Sequence, residues 1–148
     1  MRTISIKKES LKYFNYDDES QILTVWLMIN VALDIAKDFN NSNDIIYTSL
    51  ESIWDSITCG DNELSSKQGA ALVESLKTLA DKGLITILTD LGNKTIKYTT
   101  KLKIKVKQFD GSFTCLTRKE IGKIFTQLKF ADINKALCTV FRIMEPFP

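Results

Sequence analysis

Leu72-Val73-Glu74-Ser75-Leu76-Lys77-Thr78-Leu79-Ala80-Asp81-Lys82-Gly83-Leu84-Ile85-Thr86-Ile87-Leu88 holds the transition on which the fold turns. Gly69, Leu72, Val73, Leu76, Leu79 and Ala80 recur at the spacing of one buried helical stripe. Gly83 can take the left-handed conformation that stops a helix and satisfies its last carbonyls. Leu84 to Thr89 then has strand propensity, and Leu91-Gly92-Asn93-Lys94 supplies turn chemistry. Thr95-Ile96-Lys97-Tyr98-Thr99 is expected to return as the second strand of a hairpin. Beyond it, Lys101-Leu102-Lys103-Ile104-Lys105-Val106-Lys107 alternates strictly, apolar on one face and lysine on the other. The stretch reads as a helix running straight into a lysine-rich ribbon.

Working upstream, Ser65 or Ser66 caps that helix, and Cys59-Gly60-Asp61-Asn62 is a turn. Leu50, Ile53, Trp54 and Ile57 form the stripe of a short helix capped by Ser49, and Ile45-Ile46-Tyr47-Thr48 is a short strand. Asn40-Asn41-Ser42-Asn43 reads as a loop. A long helix is expected from Gln21 to about Phe39, capped by Ser20. It is apolar nearly all round, so it is either central to the core, the reading favoured here, or shared with a partner chain. Arg2 to Lys7 alternates like an edge strand.

Downstream, Asp110-Gly111 signals a hairpin joining the 101–107 strand to Ser112-Phe113-Thr114-Cys115-Leu116. Thr117-Arg118-Lys119-Glu120 is a capping box opening a helix with Ile121, Ile124, Phe125 and Leu128 inward. A last helix from about Asp132 turns Ile133, Leu137, Val140, Phe141 and Met144 inward and ends at Glu145-Pro146. The expected class is α+β, one domain over residues 1–148. Its core, about 45–107, has the order of a winged helix-turn-helix, with an extra N-terminal strand and helix and a C-terminal hairpin and helices over 108–148.

Composition narrows function. Hydrophobic content of 44% and charged content of 26% are ordinary for a globular chain. The apolar run Val25 to Ala36 is broken by Asn30 and Asp34, too short and polar to span a bilayer, and no secretory pattern opens the chain. A soluble, cytoplasmic protein without membrane association is expected. Cys59, Cys115 and Cys138 form no CxxC pair, and the sequence has no histidine, which excludes Ser-His-Asp and Cys-His catalysis and histidine-containing zinc sites. With no phosphate-binding glycine motif either, the expectation is neither an enzyme nor a cofactor-binding protein.

Charge is segregated. Residues 38–66 hold six acids and no lysine or arginine, whereas residues 94–107 hold six lysines and no acid. Such a dipolar surface steers partners more than the net charge of +2 does. A groove-reading helix would present Ser66, Lys67, Gln68, Ser75 and Thr78, with Gln68 able to pair bidentately with adenine. Glu74 and Asp81 on the same helix oppose DNA's charge, and a solvated face is the plainer alternative. Lys94, Lys97, Lys101, Lys103 and Lys105 would neutralise phosphates, with Tyr98 as the aromatic nearest the nucleic acid. Lysines also guard exposed strands against aggregation, which is the competing explanation. Trp26 and Trp54 lie on apolar stripes and are expected in the core.

Ile46-Tyr47-Thr48-Ser49-Leu50, then Leu64-Ser65-Ser66 before the helix ending Leu76 to Ile85, resembles the N-terminal winged-helix domain of replication initiators. These belong to plasmids and phages of Gram-positive bacteria, with DnaD-type primosome proteins as relatives. Phe113-Thr114-Cys115-Leu116 with Glu120-Ile121 is similar to the segment completing that domain, so the resemblance spans most of residues 1–144. It implies sequence-dependent binding of double-stranded DNA in replication initiation, DNA transfer or transcriptional control of a mobile element. Other replication or transfer proteins are implied as partners. Initiators of this kind continue into a second domain, so a longer protein or a stand-alone relative is implied. A protein–protein module without DNA binding is the alternative. A homodimer through helix 21–39 or 132–144 is expected from their apolar faces.

Overall fold

The computed structural model describes residues 3–18, 20–37 and 44–143. The chain is mixed α+β with antiparallel sheets, as expected. It opens with strand β1 (Thr3–Lys7) and a 3-10 helix (Lys8–Tyr13), then helix α1 (Ile22–Ala36), strand β2 (Ile45–Thr48) and helix α2 (Leu50–Thr58). Helix α3 (Ser66–Asp81) leads into strands β3 (Ile85–Ile87) and β4 (Leu102–Val106). Strand β5 (Phe113–Thr117), helix α4 (Arg118–Gln127) and helix α5 (Phe130–Val140) complete it. Arg2, Asp38, Phe39, the Asn40–Asn43 loop, Met144 and Glu145-Pro146 lie outside the described residues.

Helix α1 is the centre of the core. Every residue from Ile22 to Ile29 is buried, with α2, α3, α5, β1 and β2 packed around it. Its all-round apolarity is thus satisfied within one chain, and this stretch offers no face to a second copy. Trp26 and Trp54 are both 1% exposed; the Trp26 indole N–H donates to Ser10 Oγ, and Trp54 stacks edge-on against Phe125. No helix among the described residues is long and apolar enough to cross a membrane.

Ser20 does not cap α1. Its N-cap is Gln21, without a side-chain cap of its own, and the helix's first amides are met from elsewhere. Gln21 N–H donates to Ser75 Oγ on α3 at 3.0 Å, and Thr24 N–H donates to Asn134 Oδ1 on α5 at 2.9 Å. A helix start buried among other helices has no water to satisfy its amides, so neighbouring side chains must do so.

Local signals held for α2 and α4. Ser49 and Thr117 accept from the amides three residues on, and Glu120 closes the second half of its capping box. The stop of α3 is also local: Gly83 sits at φ +77, with Leu84 N–H on Leu79 O and Gly83 N–H on Ala80 O. Helix α5 departs from expectation at both ends. It begins at Phe130, and it stops at Val140, where left-handed Arg142 (φ +60) lets Ile143 N–H reach Cys138 O. That leaves Val140 42% exposed rather than inward.

Two strand expectations are corrected. Residues 95–99 form no strand; the partner of β3 is β4, so a long connection, residues 88–101, lies between them. The Asp110-Gly111 turn does not make a hairpin of β4 and β5 either. β4 is the central strand of the order β2-β4-β3, so both its edges are occupied. β5 instead pairs with β1, in a separate two-stranded sheet, with Ile4 opposite Leu116.

Candidate nucleic-acid interface

The start of α3 is a rigid platform. Ser65 Oγ accepts from Gln68 N–H at 3.2 Å, and Gln68 Oε1 accepts from Ser65 N–H at 3.0 Å. Ser66 and Lys67 are exposed on the first turn. The same box occupies the carbonyl oxygen that Gln68 would otherwise offer to a base donor, while its amide nitrogen makes no hydrogen bond among the described residues. Ser75 cannot touch a partner: it is fully buried, accepting from Gln21 N–H and donating to Ala71 O at 2.9 Å. Thr78 is half-buried and donates its hydroxyl back to Glu74 O. Lys77 meets Glu74 at 3.4 Å in an exposed pair, which offsets part of that carboxylate's charge.

Residues 88–101 form a structured connection between β3 and β4, called the wing for its place in the chain. The β3–β4 ladder continues as Leu88 N–H on Lys103 O, then ends where Thr89 Oγ1 takes Lys103 N–H at 2.6 Å. Asp90 Oδ1 accepts from Gly92 N–H, and Lys94 N–H reaches Leu91 O, closing the turn. A second turn ties Lys97 N–H to Thr100 Oγ1 at 2.8 Å and Thr100 N–H to Lys97 O.

Tyr98 then anchors the wing to α3. Its ring lies so close to Gly69 that a Cβ there would stand 2.5 Å from Tyr98 Cδ1. Its carbonyl accepts Glu51 N–H at 2.9 Å, satisfying an amide at the start of α2. This explains why residues 95–99 leave the ladder: ring and carbonyl are both taken by helices. Tyr98 is therefore a half-buried anchor that still lines the cleft between wing and helix. Between wing and helix runs a groove of about 350 Å³ bordered by Ser66, Glu74, Lys77, Thr95, Lys97 and Thr99.

The lysines divide. Lys94 and Lys97 are exposed on the wing, and Lys97 borders the groove along α3. In β4, Leu102, Ile104 and Val106 are buried, so Lys103 and Lys105 project from the opposite face, outward from the core. Lys101 is exposed at the start of that strand, and Lys107 turns to Tyr13 and Phe109. Tyr47, opposite Lys103, shares the outward face and is 65% exposed. Sequence reasoning missed both Tyr47 and the Gly69–Tyr98 contact. The alternation Ile46-Tyr47 carried the first signal; nothing local carried the second.

The remaining chemistry is structural. Cys138 is buried, and desolvation, with Asp18 adding to it, pushes its thiol up to about 11. Bonds to the backbone and side chain of Thr117 hold the Glu120 carboxyl below its ordinary value. Among the described residues, no cluster of three or more acidic, cysteine or histidine side chains is placed to hold a metal. Comparison of the chain with protein-family models, with curated proteins and with solved structures finds no match.

Proposed function

We propose that the chain is a winged-helix protein that binds double-stranded DNA in a sequence-dependent way. Replication initiation, DNA transfer or transcriptional control of a mobile element is its setting. The order α1-β2-α2-α3-β3-wing-β4 supports the reading. One observation carries it furthest: the wing meets α3 where Tyr98 lies over Gly69, so Lys97 borders the same groove as Ser66 of the exposed first turn, with Lys94 exposed on the same wing and Lys67 exposed on the same turn. A helix N-terminus and nearby cations suit phosphate, while exposed side chains of α3 reach the base edges.

Fluorescence anisotropy with random duplex and with the DNA upstream of its own coding region, at several salt concentrations, tests it. Lys94→Ala with Lys97→Ala should weaken all duplexes alike. Two lost phosphate contacts should flatten the slope of log affinity against log salt by about 1.8. Lys67→Ala should weaken duplex binding as well. If the double variant keeps both affinity and slope, duplex binding at this face is wrong. The exposed acids of α2 and the following turn, Glu51, Asp55, Asp61 and Glu63, then favour a charge-matched protein partner instead.

A further inference from the structure

The outward face of the three-stranded sheet is a second surface, built on different strands and meeting the α3–wing groove at Thr99. Strand register puts Tyr47 opposite Lys103 and Thr86 opposite Lys105. Leu88 follows on the same side, bonded through its N–H to Lys103 O and 42% exposed. Among the described residues, Tyr47 is the most exposed of the large apolar side chains. Lys103 Nζ lies 5.4 Å from its ring centroid. No acid occupies an outward position of β2, β3 or β4. Toward α2 the face dips into a hollow of about 610 Å³, bordered by Tyr47, Thr89, Thr99, Lys101 and Lys103, with Glu51 of α2 also lining it.

An exposed aromatic costs solubility and contributes nothing to this core, whereas a π-face flanked by cations matches one chemistry well. We propose that this sheet face binds single-stranded nucleic acid, with a base stacked on Tyr47 and the backbone held by Lys101, Lys103 and Lys105. Stacking is open to any unpaired base, because each has a π-face. Duplex bases are stacked on one another and cannot reach the ring. Nor does the sheet fit a duplex groove: its outer strand axes stand about 9.6 Å apart before side chains are added, and a major groove about 12 Å wide takes two strands. The Glu51 carboxylate repels a polyanion at the hollow's α2 end and directs the backbone along β4.

Anisotropy of a labelled oligothymidylate with the full chain tests the assignment. Tyr47→Ala should weaken binding roughly 5- to 150-fold, the cost of one lost stacked base. Tyr47→Phe, which keeps the π-face, should retain it. Lys103→Ala with Lys105→Ala should flatten the salt slope by about 1.4, from two single-strand contacts. Lys94→Ala with Lys97→Ala should leave oligothymidylate affinity unchanged, which separates this face from the duplex reading. All these side chains are partly or fully exposed, and circular dichroism checks that each variant folds. The proposal fails if the parent chain does not bind the oligothymidylate, or if Tyr47→Ala binds it as tightly as the parent. It also fails if a duplex or a polyglutamate peptide binds equally well and is weakened equally by Tyr47→Ala.

Discussion

The α3–wing groove and the outward sheet face draw on one run of lysines, yet they are built by opposite means. The wing brings Lys97 beside α3 where Tyr98 is seated on Gly69, a contact between residues distant in sequence, and carries Lys94 exposed on the same segment. The sheet presents Lys103 and Lys105 because strand side chains alternate and Leu102, Ile104 and Val106 face the core. The first surface depends on a docking event and the second on periodicity. Charge density in the sequence therefore says how many cations exist, and backbone geometry says which of them can act together.

That contrast can be broken at β4 itself. Ile104 is fully buried and Lys105 beside it is exposed. Ile104→Ala should cost about 2–5 kcal/mol, whereas Lys105→Ala should stay within roughly 0.5 kcal/mol. Urea unfolding of both variants checks it, and equal midpoints would show that the two faces are not distinct.

Gly69→Ala sharpens the difference between the surfaces. Alanine favours the helix by about 1 kcal/mol, but the new methyl meets the base of the Tyr98 ring, and overpacking costs about 1–3 kcal/mol. The expected outcome is a small net loss of stability with the wing displaced. Duplex affinity should fall while oligothymidylate affinity at the sheet holds. NMR shifts of Tyr98 and of residues 94–99 should move, and those of Tyr47 should not.

The smallest effect concerns the platform under the wing. Ser65→Ala removes half of the α3 capping box and should cost about 1 kcal/mol. Ser20→Ala, at the start of α1, should be close to neutral, since Gln21 and Thr24 find their acceptors on α3 and α5. Thermal unfolding of the two variants distinguishes a local cap from one supplied by packing.

Much of the architecture was legible along the chain. The stripes of α2 and α3, the inward Ile121 and Phe125 of α4 (though not Leu128, which is exposed at its end), the caps at Ser49, Ser65 and Thr117, and the stop at Gly83 all rest on interactions within a few residues. So does the alternation of β4, and the burial of both tryptophans follows from the stripes they sit on. Such features are set by local backbone and side-chain chemistry, so the sequence alone determined them. Tertiary structure decided which edges pair. Ser112 to Leu116 had the makings of a hairpin partner for β4, but both edges of β4 were taken and β1 offered its own. It also moved Ser75 from the proposed groove-reading set into the core, where it caps a different helix, and gave Tyr98, half-buried at the groove, the role of an anchor against α3. Residues of this kind are assigned by partners far away in the chain, because buried polar groups must be satisfied and close-packed surfaces must fit, whichever segment supplies the match.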